Sequence, residues 1–189
     1  MKFCHEYDLI RNFFISSLSA EKSMRILCGR WSDLFGGKEW ILAKGINFHS
    51  DIENIKEWIA VIISEEGIPS DTEALYFSVS HPETANTFDL RMTGSSCFVA
   101  DTDGFFEDIL LSDSFIPKKC FAHSQALEDL FHITNGNIDS PAGQLLPLAF
   151  AALASSSACM ELSSFPLQSD IMLAASHISR FPLMIKRLK

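Results

Sequence analysis

The chain has 189 residues, of which 47% are hydrophobic and 21% are charged, and this composition excludes a disordered or collagen-like protein. The formal net charge of −9 argues against nucleic acid or an anionic membrane as partner, because both require a basic patch. The length predicts a single domain over residues 1–189, with a core that needs neither disulfides nor a metal.

The N-terminal elements are predicted to be helical. Apolar residues recur at helical spacing from Tyr7 to Leu18, and a second, shorter helix is expected over residues 21–28. Two glycines at 36–37 indicate a turn. The apolar run EWILAK at 39–44 is typical of a short strand.

The clearest predicted helix covers residues 51–66. Ser50 is placed to cap it and Glu53 to complete a capping box, while Gly67 and Pro69 end it. Its isoleucines are spaced to form one apolar stripe: Ile52, Ile55, Ile59, Ile62 and Ile63.

Two acidic residues break the local rule for helix ends. Glu65 and Glu66 occupy the last turn of that helix, where the negative end of the helix dipole favours cations. Violations of this kind are often functional, although a surface accident is the simpler explanation.

Alternating residues then predict an antiparallel meander with one buried face, formed by strands at 75–79, 88–92 and 97–100. A helix capped by Ser124 is expected over residues 125–133, followed by a loop at 135–137. The expected fold class is α+β, with helices packed on a mostly antiparallel sheet.

The charge-free stretch 140–160 predicts a long buried helix of small residues that starts at Pro141. Its apolar part is about half the ~20 residues that a membrane span needs, so no membrane partner is expected. The five cysteines are odd in number and lack a C-x-x-C pair, which is typical of a reducing compartment. We therefore expect a cytoplasmic protein whose cysteines are reduced and mostly buried.

Catalytic and metal-binding patterns are missing from the sequence. It contains no G-x-S-x-G, no phosphate-binding glycine loop and no H-E-x-x-H. Cys97 could pair with His81 or His123, but its acidic surroundings oppose a thiolate. The turn at Asp101 and Asp103 resembles the start of a calcium loop without its remaining ligands. No catalytic residue, metal or cofactor is expected.

The acidic charge is concentrated in the middle of the chain. Residues 50–114 contain 14 acidic and two basic residues, a net charge of −12, whereas the remainder carries +3. Within this part, residues 100–115 interleave acids with apolar side chains, which indicates either solvated acids around core residues or a recognition edge that steers a basic partner. The predicted partner-binding residues are Glu65, Glu66, Asp101, Asp103, Phe105, Phe106, Glu107 and Asp108.

Four stretches carry a resemblance to a known class of proteins: ALYFSVS (Ala74–Ser80), LRMTGSSCFVADTDGFFED (90–108), SFIPKKCFAHSQAL (114–127) and LPLAFAALA (146–154). They resemble small bacterial immunity proteins, over roughly residues 40–160. The sequence departs from that pattern at 94–95, where Ser-Gly-Ser would be expected, and at 105–106, where a Trp would be expected.

The resemblance implies a non-enzymatic protein that binds and occludes a toxin made beside it. Nuclease toxins hold phosphates and are basic, so an acidic inhibitor matches them. Two alternatives stay open: an unrecognised small hydrolase or transferase with a Cys–His or carboxylate pair, and a homodimeric structural subunit with the 140–160 helix at its dimer face.

Overall fold

The computed structural model describes residues 3–15, 18–80, 88–96, 113–162, 171–177 and 183–187. Within these ranges the chain forms six helices: α1 (Cys4–Ile15), α2 (Ala20–Phe35), α3 (Lys38–Ala43), α4 (Phe48–Glu65), α5 (Gln125–Ile133) and α6 (Pro141–Glu161). The same ranges contain six strands: β1 (Ala74–Ser80), β2 (Asp89–Ser95), β3 (Asp113–Phe115), β4 (Phe121–His123), β5 (Met172–His177) and β6 (Leu183–Arg187). The predicted α+β class is confirmed.

The strands form one mixed sheet in the order β3-β2-β1-β5-β6, with β4 also paired to β2. β1 is antiparallel to β2 and parallel to β5, and the remaining pairs are antiparallel. The predicted strands at 75–79 and 88–92 are confirmed, whereas the expected strand at 97–100 lies outside the described residues. A plain meander was the wrong expectation for β1, because its second neighbour is a parallel strand from near the end of the chain.

Only one face of the sheet was expected to be buried. Leu75, Phe77 and Val79 join the main core, but Tyr76 on the other face is only 5% exposed. It belongs to a second buried cluster with Met172. An interior strand has neighbours on both edges and can be covered on both faces, and its alternation then no longer separates buried from exposed residues.

Helix α6 lies at the centre of the core. Ser140 caps it by accepting a hydrogen bond from the Gly143 amide at 3.0 Å. Phe150 packs against Phe48 of α4, with 5.4 Å between the ring centroids. By length and composition this helix could cross a membrane, yet 89% of its apolar window is buried inside the protein. The predicted buried helix is confirmed. The alternative of a homodimer with this helix at its dimer face stays a prediction, although the body itself covers most of the helix.

The N-terminal helices depart from the predictions in two places. α2 extends to Phe35, well beyond the expected end at residue 28, and the run EWILAK forms helix α3 instead of a strand. Trp40 packs against Trp31 at 5.5 Å and Phe35 at 5.7 Å, measured between ring centroids. Trp40 and Ala43 are both buried, and their three-residue spacing suits one face of a helix.

Helix α4 begins three residues before the predicted start. Asn47 is its cap and accepts from the His49 amide at 3.2 Å, so the capping box expected from Ser50 and Glu53 does not form. Asn caps as well as Ser, and the earlier start places Phe48 in the core. Four of the five isoleucines are buried and Ile63 packs against the core, as predicted. Gly67 ends the helix with a φ of 72°.

The connection after α5 follows the prediction. Ser124 caps the helix by accepting from the Leu127 amide at 3.1 Å, and Asn135 and Gly136 turn the chain with positive φ. This turn packs directly on α6: a Cβ added at Gly143 would lie 2.1 Å from the Asn137 carbonyl oxygen. Glycine is therefore required there by close approach of two backbones.

Candidate functional site

The C-terminal half of α4 and the loop after it carry an exposed set of carboxylates. We call this surface the acidic corner and define it by its exposed acids: Glu57, Glu65, Glu66, Asp71 and Glu73. Residues 57–73 contain no Lys or Arg. The C-terminal end of a helix adds partial negative charge, so the dipole of α4 strengthens the potential at this corner.

Glu65 and Glu66 hold a distant turn. The two carboxylate oxygens of Glu66 accept from the Lys118 backbone amide at 3.1 and 2.9 Å, and Glu65 pairs with the Lys119 ammonium at 2.9 Å. Both acids are exposed, so these contacts are screened by water. The Lys119 ammonium and the Lys118 backbone amide, more than 50 positions away in the chain, thus compensate the two carboxylates, which explains the apparent violation of the dipole rule.

Further contacts fix the same turn, residues 116–121. The Trp58 indole Nε1 donates to the Lys119 carbonyl oxygen at 2.7 Å, and the Met92 amide donates to the Cys120 carbonyl oxygen at 2.9 Å. We call this segment the clamped turn, because α4 and β2 both bind its backbone. Two large apolar side chains remain in solvent on it: Ile116 is 53% exposed and Phe121 is 49% exposed.

The acidic corner and the clamped turn belong to one region of the molecule. Thr72 in the loop after α4 and Phe115 before the turn both approach Gly94 of β2: a Cβ added at Gly94 would lie within 3.2 Å of each side chain. Asp113 pairs with Ser95 at the same end of the sheet. The site therefore combines a carboxylate rim with two exposed apolar residues on a fixed backbone.

Of the predicted partner-binding residues, the structure brings Glu65 and Glu66 to this region. The other six, Asp101, Asp103, Phe105, Phe106, Glu107 and Asp108, lie outside the described residues. All eight assignments stay predictions. Ile116 and Phe121 were not predicted from the sequence, where their signal is the pair of apolar residues that flank the Pro-Lys-Lys-Cys stretch.

Another carboxylate of α4, that of Asp51, makes its contacts inside the protein. It is 5% exposed and accepts from the Ser124 hydroxyl at 2.5 Å and from the Ala126 amide at 2.8 Å. It thereby caps the N-terminus of α5, where the helix dipole favours negative charge. Its role is to fix α5 against α4.

Of the three residues proposed for a Cys–His pair, the structure describes His123. Cys28 and Cys159 are buried, as expected, and burial raises the pKa of each thiol from 9.0 to about 12. Cys120 is half-buried. His123 lies 3.7 Å from Asp89 on the exposed surface, whereas Cys97 and His81 lie outside the described residues.

Within the described ranges, no group of three His, Cys, Asp or Glu side chains could hold a metal ion. An open groove of about 400 Å³ lies between the α3–α4 connection and α5, lined by residues that include Leu42, Asn47, Asp129 and His132. It is shallow and lies apart from the acidic corner.

Comparisons of the chain with protein-family models, with curated proteins and with solved structures find no match.

Proposed function

We propose that this protein is a cytoplasmic immunity protein that binds and occludes a cationic toxin domain, as the resemblance of its sequence implies. The observation that carries the proposal is the acidic corner, with five exposed carboxylates and no basic residue between positions 57 and 73. A surface of this kind raises the local concentration of a cationic partner and increases its rate of association.

The geometry at the corner supports binding more than catalysis. Glu65 and Glu66 are engaged with the backbone and side chains of the clamped turn, so they organise a surface instead of a reacting centre. Their neighbours Ile116 and Phe121 add exposed apolar area. Protein interfaces typically combine such an apolar centre with a charged rim.

The test is association with the product of the neighbouring gene, which the proposed function identifies as the toxin, measured by stopped flow at several salt concentrations. The variant Glu57→Gln/Asp71→Asn removes two charges from the corner without touching the clamped turn. We expect its association rate at low salt to fall about three- to tenfold, and its salt dependence to be weaker than that of the wild type.

A matched control removes two negative charges from another part of the molecule. Asp8→Asn/Asp33→Asn lies on α1 and α2, which do not form the corner. Its association rate is expected to stay within about twofold of the wild type. Equal loss of rate in both variants would show that only net charge matters, and no binding by the wild type would refute the proposed function.

A further inference from the structure

We propose that Ile116 and Phe121 are the apolar anchor of the contact with the cationic partner. This inference rests on the proposed function and assigns separate tasks within it. The acidic corner determines how fast the complex forms, and the clamped turn determines how long it lasts. The partner is a cationic protein domain whose basic residues surround an apolar recess.

The first argument is exposure. Ile116 and Phe121 are both about half exposed, although Phe115 beside them packs against the core. Single exposed apolar residues are normal on a protein surface. Two of them on one six-residue turn, next to a carboxylate rim, form the combination that interface centres use.

The second argument is that the turn is preorganised. The backbone groups of Lys118, Lys119 and Cys120 are each bound: by Glu66, by the Trp58 indole and by the Met92 amide. Binding therefore costs little ordering of this segment, since α4 and β2 already hold its backbone. Anchor residues on such a fixed frame lose less affinity to conformational entropy than those on a free loop.

The third argument is charge complementarity, which identifies the occupant. The five carboxylates of the acidic corner outnumber the nearby bases, which are Lys118 and Lys119 of the turn and Arg91 opposite Phe121 in the sheet, and Lys119 is already paired with Glu65 at 2.9 Å. A second copy of this chain would bring another acidic corner to the same place and would be repelled. A cationic domain is attracted, and its Lys or Arg side chains can compete with Lys119 for Glu65.

The experiment measures dissociation of the complex with the same neighbouring gene product. Ile116→Ala and Phe121→Ala are each expected to raise the dissociation rate at least tenfold, with association rates within about twofold of the wild type, because apolar anchors act mainly on dissociation. The control Leu34→Ala/Ile41→Ala truncates exposed residues of α2 and α3 that are 58% and 62% exposed, and should change neither rate.

A second measurement covers the case in which Phe121→Ala does not fold, since Phe121 lies in β4. Hydrogen exchange of the wild-type complex should then slow at the amides of residues 116 and 121 and stay unchanged on α2. Wild-type dissociation rates in both alanine variants, with slower association in Glu57→Gln/Asp71→Asn, would refute the anchor and retain the function. No association at all would refute both.

Discussion

The two ends of helix α4 use the same kind of side chain for opposite purposes. At the first turn, the Asp51 carboxylate is buried and caps the N-terminus of α5. At the last turn, the carboxylates of Glu65 and Glu66 are exposed and hold the clamped turn. Asp51 lies where the helix dipole is positive and favours a carboxylate. Glu65 and Glu66 lie where the dipole of α4 is negative and disfavours one.

The difference shows that burial decides what a carboxylate contributes. A buried charge with two donors is expensive to disturb, because removing it leaves those donors unsatisfied in a medium of low polarity. An exposed charge can exchange its partner for water or for another protein at little cost. α4 therefore joins a stable core at one end to an adaptable surface at the other.

The largest expected effect comes from Asp51. In Asp51→Ala the Ser124 hydroxyl and the Ala126 amide lose their acceptor, so we expect a loss of about 3–5 kcal/mol in the free energy of unfolding. Asp51→Asn keeps one acceptor and should lose less than half of that. Urea denaturation of the two variants measures both values, and a loss below about 1 kcal/mol for Asp51→Ala would remove the contrast between the two ends.

Alkaline unfolding should report on the core and on neither end of α4. Burial raises the pKa of Cys28 and of Cys159 to about 12. In the unfolded chain both thiols ionise near pH 9, so the stability that they contribute is complete below that pH and is lost as the pH rises towards 12. The expected loss is about 1.4 kcal/mol per thiol at pH 10.

The control for the thiols is Cys28→Ala/Cys159→Ala. Its stability is lower at neutral pH because of the missing sulfur atoms, but it should fall less steeply between pH 9 and 11. Chemical denaturation at several pH values measures this dependence. If the free energy of unfolding falls equally steeply with pH in the variant and the wild type, other groups govern this pH range.

A smaller effect is expected for the clamp itself. Glu66→Ala removes both acceptors from the Lys118 amide, and water can replace them because the site is exposed, so the loss should be about 1 kcal/mol. Exchange of the Lys118 amide should accelerate at the same time. The companion variant Trp58→Phe removes the bond to the Lys119 carbonyl and retains a ring against Phe77. Unchanged exchange in both variants would show that the turn is ordered without α4.

The smallest effect belongs to Glu65. Its pair with Lys119 is exposed on both sides, and removing an acid from the C-terminal end of a helix is itself favourable. The free energy of unfolding of Glu65→Gln, measured by thermal or urea denaturation, should therefore lie within about 0.5 kcal/mol of the wild-type value. A loss above 1 kcal/mol would show that this end of α4 is structural after all.

Local signals predicted the elements whose causes are local. The helix Gln125–Ile133 was predicted with its bounds because the capping serine and the apolar stripe lie within the same few residues. The strand predicted for EWILAK was wrong because a six-residue apolar run fits a strand or a helix. The packing of Trp40 against both Trp31 and Phe35 favours helix α3. The parallel pairing of β1 could not be foreseen, because its partner β5 comes about a hundred residues later.

The candidate site was predicted in part. Glu65 and Glu66 drew attention because they contradict the helix dipole, which is a rule that can be checked along the sequence alone. The function of Asp51 as a cap could not be predicted, because its partners Ser124 and Ala126 are 73 and 75 positions away. The exposure of Ile116 and Phe121 likewise depends on where α4 and β2 hold the turn.

The parallel pair of β1 and β5 also has a consequence for synthesis of the protein on the ribosome. β1 and β2 can pair as soon as residue 95 has emerged, but the other edge of β1 cannot be paired with β5 before residues 172–177 leave the exit tunnel. Helix α6, which packs on both strands, separates these segments in the chain. A nascent chain stalled near residue 130 would therefore present an unpaired edge with Leu75 and Phe77, a template for pairing with another chain. Strand β5, near the end of the chain, thus closes the edge of β1 that stays open during most of translation.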